Sequence, residues 1–156
     1  MIQPVTDERS LDAARGLIRD HFEAHSEAHD PSQISAIIEK LPAPYVPPGG
    51  GMWVAWEGDE ATGCVALQSL SADVGEVKRM YVRPEHRGKG IARALANLVI
   101  DEARARGYSR LRLGTLASMQ PAQNLYASLG FVPIAPYRNI EFGTTLFYEL
   151  ELEKAE

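Results

Sequence analysis

Apolar residues return along this chain with two different periods. Leu11, Ala14, Leu17, Ile18 and Phe22 recur every three or four positions, which predicts a helix with one apolar face, capped by Thr6 or Asp7. A short strand over Ile2 to Val5 precedes it. Asp30-Pro31-Ser32-Gln33 reads as an N-cap, a proline at the first helical position and a glutamine at the third, and Ile34, Ile37, Ile38 and Leu41 give this second helix its apolar face. Between Leu41 and Gly51 four prolines and three glycines predict a loop. Three strands follow, over Met52 to Trp56, Thr62 to Leu70 and Gly75 to Val82, with turns at Glu57-Gly58-Asp59-Glu60 and Ser71 to Asp73. Gly88 to Arg106 is the strongest helix, with Ile91, Leu95, Leu98 and Val99 along one side and Gly107 at its end. A strand over Arg110 to Thr115, a short helix over Pro121 to Leu129 closed by Gly130, and a strand over Thr144 to Leu152 complete the chain. This order predicts one α/β layered domain over residues 1–156, built on a mixed sheet.

Composition narrows the function classes. A chain of 156 residues can bury about 70% of its unfolded surface without metal or disulfide staples. Hydrophobic residues at 45% and charged residues at 24% are ordinary for a globular protein, and a net charge of −5 argues against general nucleic-acid binding. The single cysteine, Cys64, excludes a disulfide within the chain and fits a cytoplasmic setting. It lies in the apolar run Gly63-Cys64-Val65-Ala66-Leu67 and reads as a small core residue. The first nine residues lack the apolar stretch of a signal peptide, and no run is long enough to span a membrane.

Candidate chemistry concentrates between Glu76 and Ala92. Pro84 holds Arg83 extended and ends the strand, and Gly88 and Gly90 then lead into the long helix. That geometry aims several free backbone N–H groups at one spot with the positive end of the helix dipole behind them, an arrangement suited to phosphate. Arg83, Arg87, Lys89 and Arg93 add positive charge in an otherwise acidic chain. A P-loop is excluded, because Arg83 stands at its first glycine and Gly90 follows Lys89. The dinucleotide fingerprint is excluded as well, because Arg93 stands at its third glycine.

The pattern that fits is R-x-x-G-x-A at Arg87, Gly90 and Ala92, followed further on by Leu125-Tyr126-Ala127-Ser128-Leu129-Gly130-Phe131. In this context the chain resembles the GNAT superfamily of N-acetyltransferases, and most of all its small, stand-alone bacterial type. The resemblance implies a mixed, mostly antiparallel sheet of six to seven strands with a parallel splayed pair, flanked by about four helices. It implies acetyl-CoA (coenzyme A) as co-substrate and an amine acceptor attacking directly. Met80, Tyr81 and Val82 would pair with the pantetheine arm. Arg87, Gly88, Lys89, Gly90, Ile91 and Ala92 would hold the pyrophosphate.

By the same resemblance Glu76 is a general base and Tyr126 donates a proton or hydrogen bond to the departing thiolate. Strand alternation would put Glu76, Lys78, Met80 and Val82 on one face. A plain partner for Lys78 or Arg79 is the alternative role for Glu76. Met119 stands where many relatives carry a cofactor-binding asparagine, so Asn124 is the expected substitute, with Gln120 and Gln123 as alternatives. A small-molecule amine is the expected acceptor. A protein lysine or N-terminus, and a non-catalytic acyl-CoA sensor, are the alternatives. No metal, nucleic-acid or membrane partner is expected, and a homodimer, common in such proteins, is left open.

Three further features are weighed. His21, His25 and His29 fall at i, i+4 and i+8, a spacing that can chelate zinc but lacks further ligands and reads as solvated surface. The loop Pro42 to Pro48 either walls the acceptor site or merely connects. Tyr137, Arg138 and Asn139 precede the last strand, where the acceptor pocket of such proteins is often bordered.

Overall fold

The computed structural model of the protein describes residues 1–25, 31–138 and 145–152. Strand β1 (Ile2–Pro4) leads into helix α1 (Glu8–Ala24). Asp7 caps α1, taking the Ser10 amide at 2.8 Å, while the Ser10 hydroxyl accepts from the Asp7 amide, so two orphan donors are satisfied reciprocally. Ala14, Leu17, Ile18 and Phe22 are buried, as the period required. Helix α2 (Pro31–Lys40) follows, and its expected cap at Asp30 lies outside the described residues. Strands β2 (Gly51–Glu57), β3 (Glu60–Ser69) and β4 (Val74–Val82) run antiparallel. Helix α3 (Ile91–Ala105), β5 (Arg110–Leu116), α4 (Gln120–Ser128), β6 (Val132–Ile134) and β7 (Thr145–Glu151) complete the order.

Two expectations are corrected. The long helix starts at Ile91 rather than Gly88, because Gly88 and Gly90 take φ of +81° and +82°, a left-handed conformation that cannot be part of a right-handed helix. Strand β6 was not expected at all. It is three residues long, contains Pro133 and sits at the sheet edge, where a missing N–H is tolerated and no alternation can register.

The seven strands form one sheet in the order β1-β2-β3-β4-β5-β7-β6, and only β4 and β5 run parallel. Helices α1 and α2 cover one face, packing on Met52, Val54, Cys64, Ala66 and Tyr81. Helices α3 and α4 cover the other, packing on Trp53, Val65, Leu67, Val77 and Val82. Leu67, Leu95, Leu111 and Leu113 are at most 1% exposed, and each such side chain contributes about 2 kcal/mol by leaving water.

One irregularity breaks the sheet's alternation. Cys64 pairs with Tyr81, but Ala66 pairs with Lys78, so Arg79 and Met80 share the single residue between them on β3. This is a β-bulge, and Arg79 takes a φ of 54° within it. The bulge turns carbonyls out of the ladder, and the Cys64 thiol donates to the Arg79 carbonyl at 3.2 Å. Cys64 is fully buried, and burial pushes its thiol up to about 12 from 9.0. At neutral pH it therefore carries almost no thiolate. Thiol reagents are expected to label Cys64 only after denaturation, and Cys64→Ala should lower stability by about 1–2 kcal/mol. Rapid labelling of the folded protein contradicts the first expectation, and an unchanged denaturation midpoint the second.

Candidate active site

Strands β4 and β5 stay together for only three residues. Val74, Gly75 and Glu76 pair with Arg110, Leu111 and Arg112, and there the parallel ladder ends. Strand β5 continues along β7 as far as Leu116, while β4 continues along β3 to Val82. Beyond Glu76, β4 thus has one edge without a partner strand among the described residues, and an opening separates it from β5. The bulge at Arg79 and Met80 sits on this open stretch and leaves a residue out of the β3 ladder.

The bulge overturns the expected shared face. Val77 points into the α3-side core, so Glu76 and Lys78 point to the α1 side. One extra residue then reverses the alternation. Met80 and Val82 pack against the α3-side core, and Tyr81 packs on the α1 side. Glu76 and Met80 therefore meet the opening from opposite faces of the sheet.

Glu76 is 2% exposed and closely held. Lys78 Nζ lies 3.1 Å from its Oε1. Its Oε2 accepts from the Tyr137 hydroxyl at 2.5 Å and from Arg138 Nε at 3.2 Å. Burial compensated by two cations and a phenol is what an ionised carboxylate needs in a core. Burial, followed by the Glu76 carboxylate, pushes the Tyr137 phenol well above its usual range, so it stays a donor. Burial also pulls the Lys78 ammonium below its usual range. Tyr137 and Arg138, read from the sequence as bordering a pocket, thus reach Glu76 itself; Asn139 lies outside the described residues.

The loop after β4 closes its first amides and leaves the later ones without an acceptor among the described residues. Pro84–His86 forms one 3₁₀ turn, and the Arg87 amide closes on Pro84. From Gly88 to Arg93 no backbone amide finds an acceptor among the described residues, and the first such bond into α3 runs from Ala94 to Gly90. These amides gather at the N-terminus of α3, where the helix dipole favours an anion. A Cβ on Gly88 or Gly90 would meet nothing within 4 Å, so φ rather than crowding demands glycine at both. Arg87 Nε donates to the Val82 carbonyl at 3.0 Å and fixes the loop to the strand end. His86, 6% exposed, ties the loop to the β2–β3 hairpin by a contact of 3.0 Å between its Nε2 and Glu60, which holds the Glu60 carboxyl below its usual range. Lys89 reaches Glu57 of the same hairpin at 3.4 Å.

Tyr126 is buried on α4, with its ring edge-on to Phe131 at 5.6 Å. Burial alone raises its phenol well above its usual range. Asn124 is exposed and accepts from Gln120 at 2.9 Å, and Gln123 caps the β5–α4 turn through the Leu116 and Ala117 carbonyls. Met119 is the N-cap of α4.

The histidine stripe is not wholly solvated. His21 lies edge-on to Tyr81 at 5.1 Å and to His25 at 5.2 Å, and His29 lies outside the described residues. Glu60, Glu85 and His86 form the one cluster of metal-ligand type among the described residues. No described helix is long and apolar enough to cross a membrane. Sequence reasoning missed the bulge and Arg112, which pairs with Glu149 at 2.7 Å beside Tyr137. The alternation of Arg110 and Arg112 with buried Leu111 and Leu113 was the available signal for Arg112.

Known proteins share this architecture. The profile of the Acetyltransferase (GNAT) family matches residues 13–131. The uncharacterised N-acetyltransferase YsnE of Bacillus subtilis is 40% identical over 124 residues, 78% of this chain and 80% of that protein. The N-acetylaspartate synthetase of Danio rerio is 45% identical over 86 residues, which are 54% of this chain but 30% of that protein. The Salmonella typhimurium acetyltransferase yncA, solved with its cofactor acetyl-CoA, superposes with a TM-score of 0.75 at 24% identity, over 99% of this chain and 95% of that one. With the profile spanning most of its length and its identity to YsnE running over most of both sequences, this chain belongs to the GNAT family of acetyl-CoA-dependent N-acetyltransferases.

Proposed function

We propose that the protein transfers the acetyl group of acetyl-CoA to the primary amine of a small molecule, by direct attack and without a covalent enzyme intermediate. One observation carries this reading: a run of amides, Gly88 to Arg93, with no described acceptor at the end of a strand that has lost its neighbour. Acetyl-CoA supplies the activated thioester, and the residues around the opening do the rest. The amides of Gly88 to Ala92, helped by Arg87 and Lys89, bind its pyrophosphate. The open edge of Met80, Tyr81 and Val82 receives the extended arm as an added strand. The Met80 amide donates to the thioester carbonyl, where negative charge develops. Asn124, exposed on α4, adds a polar contact to the same arm. The small-molecule reading draws support from the identity to a synthetase named for N-acetylaspartate.

An amine acceptor arrives protonated, with a pKa of about 10 if lysine-like. Glu76 removes that proton through a water, because Lys78, Tyr137 and Arg138 already occupy its oxygens. Tyr126, with its phenol raised by burial, does not surrender its proton to a thiolate of pKa about 8.5; it stabilises the departing sulfur as a hydrogen-bond donor.

Three outcomes test the reading. Calorimetry with coenzyme A should give a measurable heat that Gly90→Ala weakens about tenfold, since alanine at a φ of +82° costs about 1 kcal/mol and displaces the amides; absence of heat with the parent protein defeats the proposal. Glu76→Gln should flatten the rise of rate with pH below neutrality, and an unchanged profile removes Glu76 from proton transfer. Tyr126→Phe should lower kcat about 10²-fold with little effect on KM, a loss typical of such a donor; full activity would reduce Tyr126 to a packing residue.

A further inference from the structure

The α1-side face of the opening holds more positive charge than the fold uses. Lys78 and Arg138 both pair with Glu76, and no second carboxylate answers them among the described residues. Arg79 has no acidic partner there at all. Its Nε donates to the neutral Tyr45 hydroxyl at 2.8 Å, and its guanidinium lies 5.2 Å from the Phe22 ring centre. Arg112, by contrast, pairs with Glu149 at 2.7 Å, a carboxylate that Arg110 also reaches at 4.0 Å. Among the described residues, Lys78, Arg79 and Arg138 share the one carboxylate of Glu76 at this face.

The two cations paired with Glu76 differ in exposure. The Lys78 side chain is 24% exposed and that of Arg138 39%. Burial, opposed by Glu76 and reinforced by Arg138 and Arg79, pulls the Lys78 ammonium below its usual range, so the like charges act on one another. Arg138 is also held in place. Its guanidinium carbon lies 5.2 Å from the Phe147 ring centre and 5.9 Å from that of Tyr137. A Cβ built at Gly114 would fall 2.7 Å from its terminal nitrogen, so the guanidinium lies close over β5. A fixed guanidinium beside an ammonium is a fork for a carboxylate, and bringing an anion to it relieves the mutual repulsion.

We propose that the acceptor amine carries a carboxylate near its nitrogen, as an amino acid does, and that Arg138 and Lys78 bind this carboxylate with Arg79 reinforcing the field. The inference rests on the acetyl-transfer reading of the same opening and adds the acceptor's class to it. A zwitterion matches the face in both signs: its ammonium is drawn to Glu76 and its carboxylate to the surplus cations. The cofactor's phosphates are served elsewhere, by the amides from Gly88 onward.

The test is a thiol-release assay with acetyl-CoA and matched acceptor sets, each an amino acid, its carboxamide and its decarboxylated amine. The amino acid should show a kcat/KM at least about tenfold above both partners, as expected where a site binds a group that the analogue lacks. Arg138→Gln and Lys78→Met should each shrink that ratio about tenfold, through KM, while calorimetric affinity for coenzyme A stays within about twofold. Neutral amines reacting as well as their carboxylates overturn the proposal and leave the acetyltransfer reading standing. Loss of coenzyme A affinity in both variants with the preference intact overturns it too, by assigning the cations to the cofactor. If no amine in the panel reacts, the coenzyme A-loaded protein is titrated with N-acetylamino acids and their amides. Tighter binding of the acids, lost in Arg138→Gln, upholds the carboxylate site, and equal binding or none overturns it. A protein that fails to bind coenzyme A at all refutes the acetyltransfer reading instead.

Discussion

Among the described residues, strand β4 is paired on one side only after Glu76, and the rest of the site is arranged around that loss. A sheet interior normally satisfies every backbone N–H and C=O across its ladders, and an unpaired edge inside a sheet is costly unless something else pairs with it. Here the ladder to β5 stops after three pairs, because β5 turns with β7 while β4 turns with β3. The bulge at Arg79 increases the local twist that separates them. Cys64, which donates to the Arg79 carbonyl, and Tyr45, whose hydroxyl accepts from the Arg79 side chain, hold the bulge from the α1 side. The opening is thus a built feature of the sheet rather than a frayed end.

The second constraint is the buried charge at the last paired residue. A carboxylate with 2% exposure is unstable alone, and the groups that hold it come from distant parts of the chain. Lys78 is two residues away on the same face, while Tyr137 and Arg138 belong to the segment after β6. The ion pairs therefore join β4 to the far side of the opening, across the gap that the missing ladder leaves. Removing one partner exposes the remaining charge to a dry environment, which is why such networks act as a unit. The Arg138 guanidinium lies near the rings of Phe147 and Tyr137 on that far wall.

Much of this was legible in the sequence, for reasons tied to particular residues. The periods at Leu11–Phe22 and Ile91–Val99 revealed two helices because tertiary packing buries the very faces that the pattern marks. Pro84 revealed the end of β4 because proline carries backbone conformation in its own covalent structure, whereas the left-handed φ that keeps Gly88 and Gly90 out of the helix is a freedom of glycine and not a mark in the sequence. The bulge was illegible, since inserting one residue in a strand leaves no mark in composition and simply reverses every later side chain. That is how Met80 and Val82 came to face away from Glu76. Strand β6 was too short and too proline-bound to alternate. The proximity of Tyr137 and Arg138 to Glu76 is a tertiary contact over 61 and 62 residues, and local pattern carries no information about it.

This division of legibility has a physical origin in what each ligand group asks for. A diphosphate and an amide-bearing arm are satisfied by backbone donors, and the sequences that expose backbone are few: glycine at positive φ, a helix start, a strand edge. An acceptor is selected by side chains, and side chains on the α1-side face can change without disturbing the amides from Gly88 to Arg93. Lys78 and Arg138 sit on the wall that Glu76 anchors, one on the sheet and one on the loop beyond it. On the proposed reading, a change of acceptor charge is met at this wall, where it also alters the setting of Glu76. The proposed acceptor recognition and proton transfer would thus be coupled through Glu76, while the reversal of side chains at Arg79 turns Met80 and Val82 to the other face of the sheet.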